Sequence, residues 1–150
     1  MSVPPQQLLP VPAKDQVIPL TEDMIQRRQK ILDNIIATVT GETACFGNVL
    51  SPLAEYDDET SGAQHMIQVL KYASPDKETQ GLVEHADQLW TEHYNGQQKR
   101  VEYVRLVQAA GDRKDSLHPE AQRMLTKKLE CSTATYDFMT AAISPSPMSN

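Results

Sequence analysis

A chain of 150 residues with a net charge of −6 is long enough for one domain that buries roughly two-thirds of its unfolded surface without disulfide or metal staples. The acid excess, with Lys and Arg scattered singly or in pairs, excludes nucleic acid as the expected partner, because phosphate contacts need a basic face; no apolar run approaches the ~20 residues of a membrane span. Hydrophobic residues at 39% and aromatics at 5% leave Leu, Ile, Val, Met and Ala to fill the interior, and two distant cysteines, Cys45 and Cys131, with no secretory signal, read as small core hydrophobes in a reducing, cytoplasmic setting.

Residues 1–20 are dense in proline and lack a helical period, which predicts an extended structural arm. Residues 21–142 form the helical domain. Thr21 reads as an N-cap, with Glu22 and Asp23 complementing the dipole of a first helix over about 22–39. Ile25, Arg28, Leu32, Ile35 and Val39 share one face of it, flanked by Ile31 and Ile36, and Gly41 is placed to end it.

The second predicted helix is the centre of the chain. Val49, Leu53, Tyr56, Thr60, Ala63, Ile67 and Leu70 recur at alternating steps of four and three, so they lie on one helical face. Phe46, Leu50, Met66 and Val69 widen that stripe beyond a two-stranded coiled-coil seam, so it needs several partner helices. Pro52 either opens the helix behind Ser51 as N-cap or kinks a longer one beginning near Thr43. Glu55, Asp57, Asp58 and Glu59 crowd beside Tyr56; contiguous acids lack the spacing of a calcium loop, and a solvated face is the favoured reading.

Ser74-Pro75-Asp76 closes this helix and opens a third, which carries Leu82, Ala86, Leu89 and His93 on one stripe with Val83 and Trp90 beside it. Asn95-Gly96 is a candidate break, but Val101, Val104 and Val107 resume in phase, so one helix over 75–110 is expected. A fourth starts at His118-Pro119-Glu120, with His118 as N-cap, and the Pro/Ser-rich residues 143–150 form a disordered tail. No strand-like alternation occurs. The expected fold is all-α, a bundle of about four long helices with an extended Pro-rich N-terminal arm.

A zinc peptidase needs two histidines one turn apart with a nearby glutamate, and neither HExxH nor its reversed form is present. His85 and His93 are two turns apart, about 12 Å at 1.5 Å per residue, too far to share one ion. No metal and no cofactor is therefore expected. The densest reactive set is on the third helix, Glu84, His85, Asp87, Trp90, Glu92, His93 and Tyr94, among which Glu92, His93, Tyr94 and His85 are the acid–base candidates. Trp90, His93, Tyr94 and Tyr56 are the candidate binding residues, with packing as the competing role for His93 and Trp90.

Phe46-x-Asn48-Val49-Leu50-x-Pro52-Leu53-Ala54, Tyr72-x-Ser74-Pro75-Asp76-Lys77-Glu78, Ala86-Asp87, Tyr103-x-x-Leu106-Val107 and Leu117-x-Pro119-Glu120 with Leu125-x-Lys127 follow one another in an order that resembles the N-terminal helical domain of the thimet oligopeptidase (neurolysin- and saccharolysin-like) family of zinc metallopeptidases. The likeness covers about residues 17–130 and is nearest to fungal members. It implies a bundle of long helices forming one wall of a peptide-holding channel, and no peptidase activity, since nothing here matches the zinc motif or the catalytic glutamate. The chain departs from the family pattern at Cys131-Ser132-Thr133.

Two functions are expected from these readings, beside a third reading of the chain as a truncated peptidase paralogue without an independent role. The first is a non-catalytic, stand-alone module that binds a peptide, a small hydrophobic ligand or a partner protein, most simply a second copy, through an apolar groove. The alternative is a small metal-free accessory enzyme of isomerase, cyclase or hydrolase type in a fungal secondary-metabolite pathway.

Overall fold

The structure, a computed structural model, describes residues 9–143. Its six α-helices are α1 (Val17–Thr38), α2 (Phe46–Val49), α3 (Ser51–Ala73), α4 (Lys77–Lys99), α5 (Val101–Gly111) and α6 (Pro119–Ile143), with short 3₁₀ turns at Lys14–Gln16 and Lys114–Ser116. Four of them are long and no strand occurs among the described residues, so the fold is the all-α bundle that the periodicity predicts.

Three boundaries differ from the sequence reading. The extended arm is shorter than residues 1–20: a 3₁₀ turn starts at Lys14 and α1 at Val17. Pro19 is tolerated because it lies in the first turn, where a backbone N–H has no intrahelical partner. Thr21 is thus no cap; it is buried inside α1, and its hydroxyl donates to the Val17 carbonyl at 2.8 Å. The 143–150 tail lies, beyond Ile143, outside the described residues.

The central stripe begins as the short α2, passes Leu50 and restarts at Ser51, with Pro52 in the first turn of α3. Asp76 caps α4 through its carboxylate, which accepts from the backbone N–H groups of Glu78 and Thr79 at 3.2 and 3.3 Å. The single helix expected over 75–110 is two. It breaks at Arg100, whose ψ of 104° is extended, and not at Asn95-Gly96. Two features redirect the chain there: Arg100 pairs with Asp33 on α1, and α5 buries Tyr103, Val104, Leu106, Val107 and Ala110, more than one stripe's width. A buried segment of that kind must leave α4's line to be enclosed by α1, α2, α4 and α6.

The interior divides into two storeys. The lower one gathers Val17, Met24, Ile67, Val83 and Ala86 from α1, α3 and α4. The upper one gathers Leu32, Ile35, Val49, Leu53, Tyr103, Val107 and Leu125, among others, from α1, α2, α3, α5 and α6. Along α1, Arg28 lies between them and is buried at 3% exposure. α6 approaches α5 closely at Gly111, where a Cβ would meet the Leu129 Cδ1 at 2.7 Å.

Candidate functional site

A polar layer separates the storeys. On α1 the helical period that buries Met24 and Leu32 also buries Arg28. A buried guanidinium must be paired and hydrogen-bonded. Asp57 on α3 takes it bidentately, with Nε donating to Oδ1 at 2.7 Å and Nη2 to Oδ2 at 3.0 Å. Nη1 donates to the Gln97 side-chain Oε1 on α4 and to His93 Nε2 at 3.2 Å, which places the proton of the neutral imidazole on Nδ1. The guanidinium carbon also lies 4.7 Å from the Tyr94 ring centroid. One side chain thereby joins three helices.

Burial, and next the positive charge of Arg28, pull the His93 pKa below its ordinary value. Burial, and next the charge of Asp57, raise that of Tyr94, and burial above all pushes Tyr103 up to about 12. All three shifts disfavour a second net charge beside the Arg28–Asp57 pair.

Tyr94 leads from this layer to the surface. Its ring stacks on Trp90 at 5.6 Å and 23°, an i,i+4 pair on α4. The two line a cleft of about 200 Å³ between α1, α3 and α4. Thr21, Ile67 and Ala86 form its buried base, Gln64 and Gln68 one wall, and Asp87 extends the aromatic wall. Gln64 Nε2 donates to Thr60 Oγ1 at 3.2 Å and Gln68 Nε2 to Asp87 Oδ1.

Of the four candidate acid–base residues, His93 and Tyr94 are neighbours, and His85 and Glu92 do not join them. His85 and Glu92 are exposed on α4, whereas His93 turns inward to Arg28 and meets Trp90 edge-on at 6.0 Å and Tyr94 at 5.8 Å. Of the candidate binding residues, Trp90 and Tyr94 line the cleft; Tyr56 instead donates its hydroxyl to the Met24 carbonyl at 2.9 Å, tying α3 to α1. Asp57 corrects the wholly solvated reading of the acidic cluster, while Glu55, Asp58 and Glu59 are exposed. Among the described residues no His, Cys, Asp or Glu group is placed to hold a metal, and no helix is long and apolar enough to cross a membrane.

Arg28, Gln97, Gln64 and Gln68 escaped the sequence reading as site residues, whereas Asp87 belonged to the reactive set of the third predicted helix. Arg28 carried a signal: an arginine on an apolar stripe requires a buried counter-charge, and the crowded acids of α3 are its nearest source. A second cavity, about 330 Å³, lies where Leu9–Pro12 of the arm cross Leu20, Ala63 and Met66. Its lining is almost wholly apolar. Leu9 roofs it so closely that a Cβ on Gly62 would meet Leu9 Cδ1 at 2.8 Å.

No family model, curated protein or solved structure matches this chain, so none links it to the peptidase family that its sequence resembles.

Proposed function

We propose that this protein is a non-catalytic helical module that binds a short peptide or small ligand in the α1/α3/α4 cleft. The observation that carries the reading is the stacked Trp90–Tyr94 wall, extended by the Asp87 carboxylate and facing two carboxamides, in one concavity. Concave sites that join an apolar wall to a few placed polar groups are the usual form of ligand pockets. At 200 Å³ the cleft is below the roughly 300 Å³ at which pockets for drug-sized molecules begin, so it suits one side chain or a fragment of that size. The peptide channel that the family resemblance implies agrees with such an occupant. The arm cavity, by contrast, has little polar character to orient a ligand and is roofed by the chain itself.

Trp90 is the one tryptophan of the chain, which makes the test direct. Intrinsic fluorescence, followed while short peptide pools are titrated into the protein, should shift and saturate, and Tyr94→Ala should weaken the response at least tenfold while leaving the helical circular dichroism unchanged. A flat titration with every pool, together with native mass spectrometry showing an empty protein, would refute the reading.

A further inference from the structure

Resting on that binding role, we propose that the cleft selects an organic ammonium group, either a free primary amine or the lysine side chain of a peptide, held by Asp87 against Trp90 and Tyr94. The lining carries one formal charge apart from the rim histidine His65, and that charge is the Asp87 carboxylate. Asp87 is half-buried, its Oδ1 accepts from the neutral Gln68 carboxamide, and no lysine or arginine pairs with it among the described residues. A carboxylate partly withdrawn from water and left without a counter-charge is stabilised by any cation that reaches it.

The hydrogen-bonding character of the lining agrees. Gln64 and Gln68 spend amide N–H groups on Thr60 and Asp87, and the Thr21 hydroxyl donates to Val17. His65 Nδ1 donates to the Ser61 carbonyl at 2.7 Å. These groups keep several lone pairs, on both carboxamide oxygens and on the second oxygen of Asp87, beside one N–H on each carboxamide. An ammonium has three donors and no acceptor, so it can use those lone pairs, whereas the Asp87 carboxylate repels a carboxylate or phosphate.

The guanidinium behind the cleft offers nothing to an anion, since Arg28 is 3% exposed and is engaged by Asp57, His93 and Gln97. Its charge is balanced by Asp57, so it does not repel the ammonium as a bare cation would. Trp90, which lines the cleft, is the aromatic side chain that binds cations best. The net charge of −6 further favours the approach of cations at low salt.

The test uses the full chain, calorimetry and Trp90 fluorescence, with four probes at neutral pH: n-butylammonium chloride, n-butanol, acetyl-Ala-Lys-Ala-amide and acetyl-Ala-norleucine-Ala-amide. Each ammonium probe is expected to bind at least about tenfold more tightly than its neutral counterpart and to change Trp90 emission. Asp87→Asn keeps an oxygen for Gln68, and should abolish that preference with unchanged thermal stability. Tighter binding of the lysine peptide than of butylammonium assigns the ligand to a peptide, and equal binding assigns it to a free amine; both support the proposal. Equal binding of charged and neutral probes, or a preference that survives in Asp87→Asn, overturns it while the binding role stands. Silence from all four probes overturns the ammonium proposal, and the peptide-pool titration decides separately on the binding role.

Discussion

Arg28 on α1 and Asp57 on α3 meet through two parallel hydrogen bonds of 2.7 and 3.0 Å between the two apolar storeys, with the arginine 3% exposed. Asp57→Ala would leave that guanidinium without its carboxylate. Breaking such a pair costs about 3–5 kcal/mol when both partners are buried; the side chain of Asp57 is 34% exposed, so a loss of about 2–3 kcal/mol is expected after solvent screening. Arg28→Met combined with Asp57→Ala removes the stranded charge, and should recover at least about 1 kcal/mol of that loss. Urea denaturation of the single and double variants measures both. A double variant no more stable than Asp57→Ala would show that the buried charge is not what the single substitution exposes.

His93 makes stability depend on pH with a definite sign. Its folded pKa lies below the ordinary value of 6.5, so across the interval between the two the unfolded chain binds more protons than the native one. Its contribution is therefore complete above about pH 6.5 and is lost as the pH falls through the folded value. Protonation also takes away the lone pair that accepts from Arg28 Nη1. Denaturant midpoints of the wild type should drop between about pH 7.5 and 5, and His93→Gln, which keeps an acceptor but does not titrate, should show a shallower drop. Parallel slopes would exclude His93 as the source.

Gly81 and Gly96 lie inside α4, and a Cβ at either would meet nothing within 4 Å. Alanine there restricts the unfolded chain and favours the helix, at about 0.5–1 kcal/mol for each substitution. Both Gly81→Ala and Gly96→Ala should raise the melting temperature, with additive effects because four turns separate them. The prediction for Gly96 also tests the continuity of α4 up to Lys99: if the chain bent at Asn95-Gly96 instead, the alanine would destabilise.

How legible each feature was depended on whether its cause is local. The stripe from Val49 to Leu70 could be read because a helical period is written into neighbouring residues, and so could the Trp90–Tyr94 pair one turn apart. The break at Arg100 has no glycine or proline to mark it; it comes from Asp33 on a distant helix and from the enclosure of α5. Pro19 suggested an arm that continues, since a proline's meaning depends on whether it falls in a first turn or further along. Asp57 looks like its acidic neighbours until Arg28 singles it out. The cleft draws on three helices, and no one-dimensional pattern brings Thr21, Gln68 and Asp87 together.

Tyr56 and Tyr94 were equivalent as candidate binding residues on sequence grounds, and the structure separates their work. The Tyr56 hydroxyl donates to the Met24 carbonyl at 2.9 Å, a contact internal to the α1–α3 seam. Tyr56→Phe removes a bond worth about 0.5–1.5 kcal/mol and leaves the cleft lining intact, so it should lower the melting temperature without changing the affinity for an ammonium probe. Tyr94→Phe keeps the ring that stacks on Trp90 and faces Arg28, and should be nearly neutral in both measurements, whereas Tyr94→Ala should weaken binding and stability together. The contrast between Tyr56→Phe and Tyr94→Ala, measured by calorimetric titration beside thermal melts, distinguishes a residue that holds two helices together from one that a ligand touches. If Tyr56→Phe lost affinity in proportion to its stability, the cleft would owe its shape to the α1–α3 seam, and the ligand's contacts would extend beyond the Trp90–Tyr94 wall.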